Sequence, residues 1–298
     1  MVQAAAVAEG CGGRLPGRSP RLPLGPCLER LARSFGPAFL SSDPIELPRR
    51  YPAPEDREIA AFVAASLAFG NAKTIRASAE AVLGRMGPRP SAALDRVAGG
   101  GGAAFPGTVH RWVRGADLTR FLRMLGRARR QAGSLESFFL AGDPGGSDLR
   151  AALASFVARL RALDPPRGAA PEGPGLRTLL ASPETGSACK RWNMLLRWLV
   201  RPDDGIDLGL WRRVSPSRLV IPLDTHVARI GRSLGLTRRA TDDWKTAAEI
   251  TRALSALAPD DPTRFDFALS RLGILGRCPR RRDARPCAAC ELRSVCAP

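Results

Sequence analysis

A chain of 298 residues in which 44% of side chains are hydrophobic can bury a sizeable core, as one large domain or two small ones. No apolar run approaches the roughly 18 to 20 residues of a membrane span, and the opening MVQAAAVAEGCGG lacks the basic start and long apolar stretch of a secretory signal, so a cytoplasmic protein is expected. A formal net charge of +18 exceeds what solubility needs and favours a polyanionic partner, DNA or RNA, through counterion release, although an arginine-rich genome would raise the charge without one.

In chain order, residues 1–25 are rich in Gly, Pro and Arg with no apolar period, and read as a flexible tail ahead of one domain over 26–298. A first helix is expected over 28–35. Between 55 and 87 the spacing predicts two helices, with Ile59, Phe62, Val63 and Leu67 on one face and a break near Gly70 and Asn71. Helical spacing recurs over 118–130 and 149–163, set off by loop-like stretches at 99–102, 141–146 and 165–175. A short helix from 175, a turn at 183–187 and a second helix over 188–201 follow. Another helix starts at Asp224, and Asp261 with Pro262 reads as cap and first turn of a helix carrying Phe265, Leu269 and Leu272. No alternating strand pattern, repeat or heptad is evident, so the class is mostly α.

Of the seven cysteines, Cys278, Cys287, Cys290 and Cys296 crowd the C-terminal end with the spacing C-x8-C-x2-C-x5-C. An odd total so distributed suits a metal loop in a reducing compartment better than a disulfide framework. Structural zinc sites usually join two close pairs, whereas here one close pair is flanked by single cysteines. Four thiolates are also the usual ligands of a [4Fe-4S] cubane, which the spacing favours over zinc. Between the first two cysteines lies PRRRDARP. Arg280, Arg281 and Arg282 there form either a solvated basic loop or, held rigid by the metal, a phosphate-binding prong.

Among 46 Lys and Arg residues only Lys73, Lys190 and Lys245 are lysines, and only a lysine can readily become an amine nucleophile. In SPETGSACKRWNMLL a turn containing Gly186 precedes a helix whose start offers free N–H groups to a phosphate. Cys189, Trp192, Leu195, Leu196 and Leu199 share its buried side, leaving Lys190 to face a cleft. In VIPLDTHVARI, Asp224 stands where an extended segment enters a helix, as an N-cap whose carboxylate is already oriented.

The hairpin with Lys190 after it, the PLDTHVARI stretch and the C-x8-C-x2-C-x5-C loop together resemble the helix-hairpin-helix DNA glycosylase superfamily, and within it an uncharacterised bacterial family. The cysteine loop is similar to that of endonuclease III; the lysine-to-aspartate interval is similar to that of archaeal 8-oxoguanine glycosylase. The resemblance covers about 55–296 and implies a two-lobed helical fold with a C-terminal iron-sulfur cluster loop. It implies further that Lys190 attacks the sugar C1′, that Asp224 assists and stabilises the cationic sugar, and that Asn71 in SLAFGNAKT fills the gap left by an extruded base. The chain departs from the pattern in lacking the second hairpin glycine and in a first cysteine gap of eight residues rather than six.

The function this implies is base excision on damaged duplex DNA by a monomeric glycosylase with abasic-site lyase activity, the target base being flipped out of the stack. Its rival is a non-catalytic DNA-binding protein with the same fold and cluster. His226 and His110 read as packed residues, Lys73 as a phosphate contact or rival nucleophile, and the five tryptophans as core, with Trp192 or Trp211 able to line a base pocket.

Overall fold

The computed structural model describes residues 23–101, 105–164, 171–279 and 284–296. Nearly all of the expected tail, and Arg280, Arg281 and Arg282 of the basic loop, lie outside the described residues.

Helices dominate. The N-terminal part runs α1 (Leu24–Ser34), a 3-10 turn Pro37–Ser42, α2 (Glu46–Arg49), α3 (Pro54–Ser66), α4 (Ala72–Met86) and α5 (Pro90–Ala98). A small antiparallel hairpin, β1 (Val109–His110) with β2 (Val113–Arg114), leads into α6 (Gly115–Ala132), α7 (Leu135–Leu140) and α8 (Arg150–Ala162). The C-terminal part holds α9 (Pro174–Leu179), α10 (Lys190–Val200), α11 (Thr225–Ser233), α12 (Trp244–Ser255), α13 (Asp266–Ile274) and α14 (Ala284–Ala288). No helix among the described residues is long and apolar enough to cross a membrane.

Side chains mark the helix starts. Proline opens α3, α5 and α9, where its missing N–H would have had no partner. Asn71, Ser134, Asp224 and Asp243 cap α4, α7, α11 and α12 by accepting first-turn N–H groups.

Helices α3 and α10 form the inner pair. Ile59 through Ser66 are buried without a break, as are Trp192 through Val200, and helices covered on every side must lie inside the fold. They pack on each other, with Trp192 edge-on to Phe62 at 6.3 Å, while Phe121 of α6 and Phe156 of α8 approach Trp192 to 6.1 and 5.7 Å. Trp192 and Trp211 are core residues, 5% and 2% exposed.

Beyond this aromatic hub α10 carries charge into the interior. Arg197 pairs with Asp207 at 3.1 Å and with Asp266 at 2.5 Å. Arg201, one turn on, pairs with Asp207, with Asp204 at 3.1 Å and with Asp261 at 2.8 Å. A second buried pair, Arg271 with Asp43 at 2.9 Å, joins α13 to the segment before α2. This network explains one departure from the sequence pattern. Asp261 does not cap α13, because its carboxylate is drawn to Arg201; turns occupy 262–265 and the helix begins at Asp266. Helices α5, α7 and α12 and the two-residue strands go beyond the elements read from the sequence.

Asp207 is fully buried between two guanidinium groups. Asp207→Ala leaves both short of a partner and is expected to lower stability by about 3 to 5 kcal/mol, read as a drop in the urea midpoint.

Candidate functional site

The turn between α9 and α10 positions Lys190. A 3-10 turn Pro183–Thr185 ends at Gly186, whose φ of 81° is left-handed and whose carbonyl accepts the Trp244 N–H at 3.1 Å. Cys189 is left-handed too, at φ 47° and ψ 39°, a conformation that a residue with a Cβ holds only when its surroundings enforce it. Ser187 Oγ accepts its N–H at 3.2 Å and its side chain is buried. Helix α10 therefore starts at Lys190, two residues after the expected start at 188. Burial pushes the Cys189 thiol up to about 11, which leaves it protonated and unreactive.

Lys190 keeps part of its stem exposed while its amine end is enclosed. Nζ lies 3.5 Å from the Ala68 carbonyl and 3.4 Å from Met194 Sδ, one turn along α10, both neutral partners. Loss of water around the amine pulls its pKa below the ordinary lysine value. Asp224, Asp43 and Asp266 oppose that shift by attraction, and Arg191 adds to it. Arg191 in turn clamps the neighbouring segments, donating to the Ser66 carbonyl at 2.6 Å and to the Thr178 carbonyl, with its guanidinium 4.8 Å over the Phe69 ring.

Asp224 has extended backbone and caps α11, Oδ1 accepting the N–H groups of His226 and Val227, both at 2.8 Å. Its helix lies close against α13. A Cβ on Gly273 would stand 2.5 Å from His226 Cβ, so glycine there is what admits His226. His226 is thus a packing residue.

The segment 67–71 forms the outer wall. His110 is fully buried, with Nδ1 3.0 Å from Ser78 Oγ and Nε2 2.9 Å from the Phe69 carbonyl; burial lowers its pKa, so the ring is neutral and ties the wall to the hairpin. Phe69 also packs on Trp112 at 5.4 Å, and Arg111 lies 4.9 Å over that indole. Trp112 is 43% exposed, so the expectation that every tryptophan is core fails at the hairpin, where a two-residue strand offers no second layer to cover it. Asn71 and Lys73 are exposed at the start of α4, Asn71 Oδ1 accepting the Lys73 N–H at 2.9 Å.

The cysteine loop docks on the far end of α11 and on α1. Arg229 of α11 donates to Cys278 Sγ at 3.0 Å and to the Cys278 and Pro279 carbonyls, both at 2.8 Å. Arg277 lies 5.3 and 5.7 Å over the rings of Phe35 and Phe39. Ser34 donates to Glu291 at 2.7 Å, and Cys27 Sγ lies 3.7 Å from Ser294 Oγ. Burial pushes the Cys290 thiol up; the Leu292 N–H opposes this, while the charges of Glu291, Cys278 and Cys287 add to it. Among the described residues no three His, Cys, Asp or Glu side chains stand close enough to hold a metal ion as placed. The donor set nonetheless suits one: free thiols whose charges crowd each other are relieved by a bound cation.

Residues 43–275 match a protein family described as a protein of unknown function (DUF2400). The chain belongs to the DUF2400 family. No curated protein and no solved structure matches the chain. Asn71, Gly186, Lys190 and Asp224 lie inside the part matched to DUF2400, and the four loop cysteines lie beyond it.

The structure of this DUF2400 protein thus places Lys190 and Asp224 within electrostatic reach of each other, with the cysteine loop at the other end of the helix that Asp224 caps. Sequence reasoning missed Asp43, Asp266 and Arg191. For Asp266 a signal was present: a lone carboxylate in the apolar run DFALSRLGIL.

Protein isolated without oxygen is expected to be brown and to contain about four irons per chain. Stoichiometric zinc without iron would assign the loop to zinc instead.

Proposed function

We propose that this protein is a DNA glycosylase with abasic-site lyase activity, acting on damaged duplex DNA through a Schiff base on Lys190. The observation that carries the reading is the enclosed amine of Lys190, shifted toward its neutral form beside the capping carboxylate of Asp224. A lysine must lose its proton to attack, and desolvation is a direct way to achieve that near neutral pH. The net charge of +18 suits a phosphate backbone.

In the proposed reaction the Lys190 amine forms a bond to C1′ as the C1′–base bond breaks, its electron pair leaving with the base. Charge builds on the sugar at this stage, and the Asp224 carboxylate offsets it. Loss of a proton from the attached nitrogen and rupture of the C1′–O4′ bond, with O4′ taking the electron pair and a proton, give the imine. Removal of a C2′ proton then expels the 3′-phosphate oxygen with its electron pair and cuts the strand. Exposed Asn71, beside the Arg111–Trp112 hairpin tip, is the side that meets the opened duplex, with Asn71 filling the gap left by the base. Gly186 and the start of α10 lie against the backbone, and Arg280, Arg281 and Arg282 supply further phosphate contacts. Cys278, Cys287, Cys290 and Cys296 hold the cluster, which when bound cross-links its loop into a rigid mount.

Borohydride trapping on duplex DNA with an abasic site, and on a panel of oxidised bases, tests the reading, because reduction turns the imine into a permanent crosslink. Lys190→Gln is expected to abolish the crosslink while DNA binding persists. Asp224→Asn preserves the cap but not the charge, so trapping should slow by about a hundredfold at little change in affinity. Protein that binds DNA and traps none would be a binding protein, and a crosslink retained by Lys190→Gln would pass the nucleophile to Lys73.

A further inference from the structure

Asp266 is a buried group that the reaction above leaves unused. It opens α13, is 3% exposed, and gives Oδ2 to Arg197 Nη1 at 2.5 Å; its other oxygen, Oδ1, is buried with no hydrogen-bond partner. A carboxylate oxygen kept from water and left unpaired is unfavourable and calls for an explanation. The geometry of α10 supplies one. Lys190, Met194 and Arg197 occupy successive turns of one face. The lysine runs inward along that face until Nζ rests on Met194, and Asp266 is tied to the next position down.

The other carboxylates around Lys190 are more committed. Asp43 gives Oδ2 to Arg271 and Oδ1 to the Ile45 N–H at 3.1 Å, and Asp224 has its Oδ1 engaged by two backbone N–H groups. Arg191 is the remaining charged group that acts on the amine, and it is cationic.

Resting on the Schiff-base reading, we infer that Asp266 Oδ1 is the proton acceptor that converts the Lys190 ammonium into the attacking amine. An N–H bond of the ammonium breaks, its electron pair stays on nitrogen as the lone pair that attacks C1′, and the proton forms an O–H bond on Asp266. The departing base, which leaves with the C1′–N electron pair, takes that proton and returns Asp266 to its carboxylate. Burial pushes the Asp266 carboxyl up to about 6, against the pull of Arg197 and with a push from Asp224, which brings it into the range of a useful base near neutral pH.

Two readouts on Asp266→Asn separate this role from its alternatives. The first is the pH dependence of Lys190 acetylation by acetic anhydride, followed by peptide mass spectrometry in a chain with only three lysines. The second is the rate of borohydride trapping on abasic duplex DNA. Removing a negative neighbour should move the acetylation midpoint to lower pH, making the amine freer toward a small reagent. Trapping should nevertheless slow by about a hundredfold, because no internal base is left. Faster acetylation together with faster trapping would reduce Asp266 to an electrostatic neighbour, and an unmoved midpoint would remove the coupling altogether.

Asp207→Asn breaks the same arginine network away from Lys190, and should lower stability while leaving both readouts in place; equal slowing there would mark the Asp266 effect as structural. Wild-type protein gives a check without any variant: trapping should slow as pH falls through the Asp266 titration at about 6, and a rate unchanged on either side of it would overturn the inference. No trapping by the wild-type protein would sink the Schiff-base reading and this role with it. Trapping that Asp266→Asn leaves intact would remove the role alone.

Discussion

Two arginines on the inner face of α10 govern much of this structure. A guanidinium cannot shed its proton to escape burial, so Arg197 and Arg201 are tolerable inside the protein only with carboxylates brought to them. Asp207 and Asp204 arrive from the loop after α10, Asp261 from the turn before α13, and Asp266 from α13 itself. Segments far apart in the chain are thereby fixed to one helix face. Hydrophobic burial holds α10 against α3, but apolar contacts are indifferent to small slides along the helix, and directional ion pairs are not. The register of α10 within the fold, and hence the height at which Lys190 emerges, follows from that pairing.

The same helix face changes character along its length. At its inner end, cations are matched by carboxylates at hydrogen-bond distance. At its outer end, the lysine amine has three carboxylates within electrostatic reach and a carbonyl and a thioether as its contacts. Desolvation outweighs attraction there, and the amine shifts toward its neutral form. A direct ion pair would have held the proton on. Keeping the acids near and out of contact is what lets one buried column hold permanent cations at its base and a poised amine at its mouth.

The sequence made some of this legible. An amphipathic run behind Asp224 announces α11 and its cap, because capping is local chemistry read within a few residues. The pair α3 and α4 with its break at Gly70 and Asn71 is legible for the same reason. The enclosure of Lys190 is not, since it depends on the Ala68 carbonyl 122 residues away in the chain. Cys189 gives no warning of its left-handed backbone, because only glycine and asparagine advertise that conformation. Asp261 misleads because two local roles, cap and ion-pair partner, share one residue type, and the long-range partner Arg201 decides between them.

Asp224 owes its position to α11 rather than to its own side-chain torsions, since its oxygen is bonded to the backbone of the helix it begins. That helix is in turn seated on Gly273, where not even a methyl group fits, and is gripped further along by the contacts of Arg229 to the cysteine loop. The mechanical tolerance of the carboxylate is therefore that of a close helix contact, a few tenths of an ångström, instead of the freedom of a surface rotamer. Substitutions along that seam, remote from any reacting atom, act on the site as alignment errors.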